Sequence, residues 1–507
     1  MPSRHILTLL GPAWGHVLPY IHLTTRMLAS DPELVITIVQ HNVFVPRMFK
    51  ELDSCSYDTS RLKIEGVGDK DLAVSLETIP LTMRELTAGW LSILAKSVIG
   101  GTAWPKPNTL HMDFSGGGLI IKESRALLGP EGKVLLWCST GVAVCMDHFS
   151  EFDHAKTARE IYADEGRRAG RTMDEIIADV FCAGNGSDKL DGRILEIAGG
   201  LKIYDHEHIA QGAGSPRRLA AVLTAAQELG QLSDGFFCPT SNALEPVSVP
   251  YAREYYKQRG KELFLVGPQM HDDEWEAPAA GSGPKDERIK KFLEDANKKY
   301  GPKSVLYISF GSVFFPLETP HLVEMLIEVL LGLESVVPFV FVVAGVMASL
   351  PKETIDRIHA SGRGIVCTDW VDQKAILKSG SIGWFLTHGG YNSLTESLSQ
   401  GIPLIFWPVG AEQALNAAMF STGPRPIGIE LFQIRAGTQL GPSLRPEAPK
   451  ITGTAEDAKI EFQQAFKDLK GPIGATLKQN AVRIAELWRE ERIDGEPVQE
   501  IARLTRF

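Results

Sequence analysis

The segment WVDQKAILKSGSIGWFLTHGGYNSLTESLSQGIPLIFWPVGAEQ, residues 370–413, decides the fold class of this chain. It alternates apolar runs of strand length with amphipathic runs of helix length, and its polar residues fall where a strand passes into the next helix. Such alternation predicts a parallel, doubly wound α/β sheet, whose strands bind ligands at their carboxyl ends. The segment therefore predicts both a fold and a binding site.

The same organisation extends outward in both directions. Strands are predicted at 304–310, 339–343, 364–370, 381–388 and 402–408, with helices between them. At the N-terminus, a strand at 6–10, a loop PAWGH, a helix from about Pro19 and a strand at 34–40 predict a second βαβ unit. Two facing Rossmann-like domains with a cleft between them follow, spanning residues 1–266 and 301–480. The acidic, Pro/Gly/Ala-rich segment 267–300 is predicted to be the interdomain linker.

Composition excludes several classes of protein. The 507 residues carry 52 basic and 62 acidic side chains, a net charge of −10, without a dense basic stripe, so nucleic acid is not an expected partner. Six cysteines without CxxC spacing argue against a structural zinc site or a disulfide framework. The N-terminal apolar run is too short for a signal peptide or a transmembrane segment, so the sequon at Asn185 is expected to be unused and the protein cytoplasmic.

One part of the 370–413 segment has the composition of an anion site. His388 ends a strand, Gly389 and Gly390 form the turn, and Asn392 and Ser393 open a helix. The first N–H groups and the dipole of that helix would face whatever anion binds there, and a diphosphate suits this arrangement.

Three further residues suit a nucleoside. Glu396 lies on the same helix face as Asn392 and can accept both hydroxyls of a ribose, Trp370 can stack on a flat base, and Gln373 can bind its sugar. Each residue alone also has an ordinary structural explanation, such as a core aromatic or a helix cap. Their occurrence together favours a nucleotide-sugar site.

The segment resembles the donor-binding signature of the UDP-dependent glycosyltransferases of glycosyltransferase family 1, and the two patterns align without a gap over 44 positions. The family has the GT-B fold, two facing Rossmann-like domains with parallel sheets. The resemblance also implies that residues 481–507 form a C-terminal helix that returns to the first domain. Departures from the pattern occur at Asp372, Ser379, Gly389, Tyr391 and Ile402.

The resemblance implies the residues that bind the donor. They are Trp370 for uracil; Gln373 and Glu396 for the ribose; His388, Asn392, Ser393 and, from an SFGS element, Ser312 for the diphosphate; Glu412 and Gln413 for the sugar; and Val371 and Gly390 within the same segment. A terminal Gln resembles glucose-using members, so UDP-glucose is the expected co-substrate. No metal and no other cofactor is expected.

In the first half, PAWGHVLP at residues 12–19 resembles the family element whose His is the general base, which predicts that role for His16. A neutral imidazole can take the proton of an attacking hydroxyl at pH 7. Asp113, in PNTLHMDFSGG, is the predicted orienting carboxylate; a helix N-cap is the alternative for Asp113, and Asp147 is a weaker candidate for the orienting role.

Other patterns are given little weight. Asp69-Lys70-Asp71 has a DxD form but lies in a polar stretch, and His206-Glu207-His208 offers no third ligand for a metal.

The sequence thus predicts an inverting, metal-independent glycosyltransferase that moves a hexose from a UDP-sugar to a small hydroxylated acceptor. Aromatic residues of the first domain favour an apolar acceptor, such as a lipid, terpenoid or phenol. A non-catalytic nucleotide-sugar sensor and a GT-B nucleotide-sugar epimerase are the alternatives.

Overall fold

A computed structural model of the chain describes residues 2–73, 75, 77–100, 103–149, 153–183, 188–208, 215–276 and 283–507. The sequon at Asn185 and part of the predicted linker lie outside these residues. The strands are β1 (Arg4–Leu9), β2 (Leu34–His41), β3 (Leu62–Val67), β4 (Thr109–Asp113), β5 (Lys133–Trp137), β6 (Ile194–Ile197), β7 (Leu201–Tyr204), β8 (Gly235–Cys238), β9 (Glu262–Leu265), β10 (Val305–Ser309), β11 (Phe339–Val342), β12 (Gly364–Cys367), β13 (Ile382–Thr387), β14 (Leu404–Phe406) and β15 (Gly428–Glu430).

The helices of the first half are α1 (Trp14–Ser30), α2 (Val45–Leu52), α3 (Ile79–Ile99), α4 (Phe114–Gly117), α5 (Ile121–Leu128), α6 (Val142–His148), α7 (His154–Ala163), α8 (Glu165–Arg168), α9 (Met173–Ala183), α10 (Asp205–His208), α11 (Ser215–Leu232) and α12 (Ser248–Gln258). Those of the second half are α13 (Glu287–Tyr300), α14 (Pro320–Gly332), α15 (Lys352–Ser361), α16 (Gln373–Lys378), α17 (Tyr391–Ser399), α18 (Gln413–Ser421), α19 (Ala455–Asp468), α20 (Pro472–Asp494) and α21 (Glu496–Leu504).

Two parallel sheets organise the chain. The first has the strand order β3-β2-β1-β4-β5-β8-β9 and the second the order β12-β11-β10-β13-β14-β15. The neighbours in both sheets run parallel; in the described residues β6 and β7 form an antiparallel pair, and an isolated antiparallel bridge joins Gly441 and Ile451. The predicted α/β fold with two facing Rossmann-like domains is confirmed.

Both faces of each sheet are buried, which explains the continuous apolar character of the strands. In β1, Leu7 and Leu9 join one core cluster while Ile6 joins the cluster on the other face. In β10, Leu306 and Tyr307 likewise point into different clusters. Alternate residues of a strand face opposite sides, so helices are needed on both faces.

The segment predicted as a linker contains a helix that the sequence analysis missed. Helix α13 occupies the last part of 267–300, and its Ile289 and Leu293 are buried in the core of the second domain. Asp286 caps the helix by accepting hydrogen bonds from the Arg288 and Ile289 amides. The high charge of this helix hid its narrow apolar stripe. The domain boundaries themselves stay a prediction.

The single C-terminal helix predicted for residues 481–507 is instead two helices, α20 and α21, which are separated at Gly495 and contact both halves of the chain. In α20, Trp488 donates a hydrogen bond of 3.2 Å from Nε1 to the Ser241 hydroxyl. In α21, Ile501 and Leu504 join the core cluster beneath α1. None of the helices in the described part of the chain is long and apolar enough to cross a membrane.

A buried ionic network also joins the two domains. Arg445, from the loop after β15, contacts Glu207 of α10 at 2.7 Å and Glu430 at 3.0 Å, and Arg435 contacts Glu430 at 2.5 Å. All four side chains are at most 2% exposed. Because a buried charge needs a partner, this network holds α10 of the first domain against the second domain.

Candidate active site

The sequence pattern predicts that His16 lies in a loop before the first helix. In the structure His16 lies in the first turn of α1. The prediction that the helix begins near Pro19 was therefore wrong by five residues. Proline inside a helix removes the hydrogen bond to the carbonyl four residues earlier, which here is that of Gly15. That carbonyl instead accepts a hydrogen bond of 2.7 Å from Nδ2 of Asn392, in the other domain.

The structure brings His16 and Asp113 together. Nδ1 of His16 lies 2.9 Å from Oδ2 and 3.1 Å from Oδ1 of Asp113, which ends β4 and is fully buried. Asp113 also caps α4 by accepting hydrogen bonds from the Ser115 amide at 2.9 Å and the Ser115 hydroxyl at 2.6 Å. Both explanations offered for Asp113, a cap and an orienting carboxylate, are therefore compatible with its position.

The electrostatics of this pair favour a proton on Nδ1. Burial alone would lower the pKa of His16, but the Asp113 carboxylate, with a smaller contribution from Glu412, raises it above its ordinary value. Burial would raise the pKa of Asp113, and its contacts with His16 and Ser115 lower it instead. The carboxylate thus stays ionised and leaves Nε2 of His16 as the free basic atom.

Aromatic rings surround the other side of His16. The Phe114 ring lies 5.0 Å from the His16 ring, centroid to centroid, and Phe149 lies 6.2 Å from Phe114. Nε1 of Trp137 donates to the carbonyl of His16 at 3.2 Å. The backbone of His16 is therefore held by a hydrogen bond, and its imidazole packs against an aromatic ring.

Asp147, the weaker candidate, binds a different histidine. Its Oδ2 lies 2.8 Å from Nε2 of His208. The three residues of the HEH sequence diverge, since His206 contacts the Pro442 carbonyl at 2.9 Å and Glu207 contacts Arg445. The DxD residues 69–71 form an exposed turn.

In the second domain, His388 packs directly against backbone. It follows β13, and a Cβ added at Gly311 or at Gly390 would lie only 2.6 Å or 2.4 Å from its ring. Gly311 also has a φ of +78°, a conformation that favours glycine. Burial lowers the pKa of His388 to about 4, so its imidazole is neutral at pH 7.

Helix α17 begins beside this histidine. Its N-cap is Gly390, which supplies no capping side chain, and its first turn contains Asn392 and the buried Ser393. Uncapped amides at a helix N-terminus form an anion site. Ser312 follows the nearby Gly311 and is half-buried.

The residues predicted to bind the nucleoside also lie together. Nε2 of Gln373 donates to Oε2 of Glu396 at 2.7 Å, and the Tyr307 hydroxyl donates to Oε1 of Gln373 at 3.1 Å. Burial, followed by repulsion from Glu274, raises the pKa of Glu396 to about 7. Trp370 is 59% exposed, and its strand ends at Cys367, three residues earlier than predicted.

The adjoining turn explains one departure from the family pattern. Val371 is half-buried. Asp372, where the pattern has Pro, caps α16 by accepting a hydrogen bond of 3.0 Å from the Ala375 amide.

Glu412 and Gln413 differ in their surroundings. Glu412 is half-buried at the start of α18, whereas Gln413 is buried, and its Oε1 accepts hydrogen bonds from the Val409 amide at 2.8 Å and the Gly410 amide at 2.7 Å. Tyr391, which replaces Trp, donates to the Pro239 carbonyl of the first domain at 3.3 Å. This tyrosine is buried at the domain interface.

Two features have no signal in the sequence. The thiols of Cys138, Cys145 and Cys238 lie within 4.8 Å of one another, although their spacing indicates no cluster. They are buried, and burial raises the pKa of Cys138 and Cys238 well above the ordinary value, so these two are neutral thiols at pH 7. The second feature is the contact between Arg47, on α2 of the first domain, and Trp370 of the second.

Comparisons with known proteins agree with this arrangement. A family model described as UDP-glucoronosyl and UDP-glucosyl transferase matches residues 282–431. The UDP-glycosyltransferase eriJ of Hericium erinaceus is 30% identical over 527 residues, covering 96% of this chain and 96% of that protein.

Solved structures agree in fold. UGT71G1 of Medicago truncatula, complexed with UDP-glucose, has a TM-score of 0.67 at 18% identity and covers 99% of this chain and 98% of its own. Phytolacca americana UGT2, complexed with UDP-2fluoro-glucose and pterostilbene, has a TM-score of 0.67 at 19% identity and covers 99% of both chains.

The two facing parallel sheets define the GT-B fold. The chain belongs to the UDP-glycosyltransferase family, glycosyltransferase family 1, and is an enzyme of that family.

Proposed function

We propose that this enzyme transfers glucose from UDP-glucose to a hydroxyl group of a small apolar acceptor, a lipid, terpenoid or phenol, with inversion at the anomeric carbon. The observation that carries the proposal is the pair formed by His16 and Asp113, at 2.9 Å, in the turn of α1 whose Gly15 carbonyl accepts a hydrogen bond from Asn392. Asn392, which is predicted to bind the diphosphate, therefore contacts the residue next to the proposed base across the cleft.

The proposed reaction is a single displacement. The acceptor oxygen forms a bond to the anomeric carbon while Nε2 of His16 takes its proton, and the bond from that carbon to the diphosphate oxygen breaks with its electron pair going to UDP. Asp113 keeps the Nδ1 proton in place and balances the imidazolium charge.

The leaving diphosphate is proposed to bind at the N-terminus of α17, with Asn392, Ser393 and His388 as donors and Ser312 nearby. Trp370 would stack on uracil, Gln373 and Glu396 would bind the ribose, and Glu412 and Gln413 the sugar. We propose that no metal or other cofactor is needed, with the UDP-sugar as co-substrate.

Two observations support the choice of substrates. Relatives include a hydroquinone glucosyltransferase of Rauvolfia serpentina, and the complex of UGT2 contains a phenol-type ligand, pterostilbene. The ring of Phe114, which packs 5.0 Å from the His16 ring, gives the His16 side of the cleft an apolar group that suits such an acceptor.

The test is a screen of UDP-sugars against hydroxylated acceptors, with the products identified by mass spectrometry and with EDTA present in a parallel series. A β-glucoside of an apolar acceptor together with free UDP is the expected result. Binding of UDP-glucose without release of UDP from any acceptor mixture would indicate a sensor, and formation of a different UDP-sugar would indicate an epimerase.

A further inference from the structure

Helix α2 of the first domain contacts the predicted nucleoside residues of the second domain. Its Met48 and Leu52 are buried in the core of the first domain. Arg47 and Glu51 are four residues apart and therefore lie on one face of the helix. Both of these side chains reach across the cleft.

Arg47 contacts two tryptophan rings, one from each domain. Its Cζ atom lies 3.8 Å from the ring centroid of Trp14, two residues before His16, and 4.8 Å from that of Trp370. A flat guanidinium at these distances makes favourable cation–π contacts. Trp370 is the residue on which the uracil ring is proposed to stack.

Glu51 fixes the helix against the same site. Its Oε1 lies 2.9 Å from Nζ of Lys374, which also contacts Glu274 at 3.0 Å, and 3.1 Å from Nε2 of His22. Lys374 is the neighbour of Gln373, which binds Glu396. The position of Arg47 beside Trp370 is thus set by an ionic contact next to the proposed ribose residues.

We propose that Arg47 is a nucleotide-binding residue supplied by the acceptor domain: its guanidinium stacks on the outer face of the uracil whose inner face stacks on Trp370. The proposal rests on the proposed function, because it requires a uracil nucleotide as ligand. Burial lowers the pKa of Arg47, and the carboxylates of Glu51 and, to a smaller extent, Glu396 offset part of this effect, which agrees with a guanidinium on the ribose side of Trp370.

The geometry requires a small movement on binding. A ring held between Trp370 and Arg47 needs roughly 7 Å between the two outer planes, twice the optimal separation of about 3.5 Å. The present distance is 4.8 Å, so the guanidinium withdraws by about 2 Å. Because Cζ of Arg47 also lies 3.8 Å from the ring centroid of Trp14, we expect this movement to change the contact with Trp14 as well.

The test is isothermal titration of UDP into the wild type, Arg47→Met and Arg47→Lys. We expect Arg47→Met to bind UDP about five- to twentyfold more weakly, from the loss of one cation–π contact. Arg47→Lys should be weakened similarly, since an ammonium keeps the charge without the flat stacking surface. The control is Arg159→Met, which removes an exposed arginine from α7 and should bind UDP like the wild type.

A double-mutant cycle with Trp370→Ala separates a contact with the base from a general effect of charge. In the Trp370→Ala background, Arg47→Met should change UDP affinity by less than about twofold, because the stack is already lost. Unchanged or tighter binding by Arg47→Met, full binding by Arg47→Lys, or an equal loss in both backgrounds would each overturn the assignment. A wild-type protein that binds no UDP would overturn the proposed function as well.

Discussion

Nδ2 of Asn392 donates a hydrogen bond of 2.7 Å to the backbone carbonyl of Gly15, so a residue of the donor domain completes the first turn of the helix that carries His16. The carbonyl is available because residue 19 is proline and has no N–H to offer it. Pro19, inside α1, thus leaves the Gly15 carbonyl without its usual donor in the helix. It leaves an acceptor through which the second domain contacts the residue next to the proposed base.

Replacing Pro19 should weaken the coupling between these two residues. Pro19→Ala gives Gly15 an intrahelical donor, so Asn392→Ala should then cost about 1 kcal/mol less unfolding free energy than it costs in the wild type. Denaturant unfolding of the two single variants and the double variant measures this coupling. Strictly additive effects would show that Pro19 does not determine the contact.

His16→Ala should reduce kcat/KM at least about a hundredfold and leave UDP affinity within about threefold of the wild type, because only the proton acceptor is removed. Steady-state kinetics and calorimetry check the two quantities. The matched control is His321→Ala, an exposed histidine at the start of α14, which should leave both unchanged. Normal turnover by His16→Ala would exclude this residue as the base.

The pH profile should report the pKa of His16. The base acts in its neutral form and its pKa lies above the ordinary value of 6.5, so kcat/KM should fall as the pH drops through a midpoint above 6.5. In Asp113→Asn the carboxylate no longer offsets the lowering of the His16 pKa by burial, so the midpoint should move below 6.5. The maximal rate should fall about a hundredfold or more, because the imidazole loses its orienting carboxylate. Asp147→Asn should leave the midpoint in place because Asp147 contacts His208.

UDP affinity should depend on the protonation of Glu396. Ribose hydroxyls donate to the ionised carboxylate, and the pKa of Glu396 is about 7, so affinity should fall about tenfold between pH 8 and pH 6 from this group. Titration in buffers of different ionisation enthalpy should also detect proton release at pH 7. In Glu396→Gln, the UDP affinity should keep only the pH dependence that is due to the phosphate groups of UDP. An identical pH slope in this variant would contradict the assignment.

Glu207→Gln should destabilise the protein by about 3 kcal/mol, because it leaves two buried arginines with the single carboxylate of Glu430. Urea unfolding followed by far-UV circular dichroism measures the loss. Glu196→Gln is the matched control: it removes an exposed carboxylate from the neighbouring strand β6 and should change stability by less than about 0.5 kcal/mol. Equal stabilities of the two variants would refute the proposed role of the network.

Local pattern was sufficient for the strands and for the polar residues that follow them. Asn392 follows β13 as predicted, and His388, predicted as the last residue of that strand, lies one residue beyond its end, because period and turn composition are properties of neighbouring residues. Local pattern failed at the start of α1, where Pro19 suggests that the helix begins later than it does. It also failed at α13, whose many charged residues argue against a core helix although its apolar side chains pack on distant parts of the chain.

By itself, the sequence determined the α/β class, the GT-B family and the residues at the carboxyl ends of the strands. Only the tertiary structure decided which side chains from distant elements meet: Asn392 with Gly15, Glu207 with Arg445, and Arg47 with Trp370. The physical reason is that strand and helix periodicity depends on neighbours a few residues apart. Contacts between domains depend on how the two sheets face each other, which the local pattern does not encode.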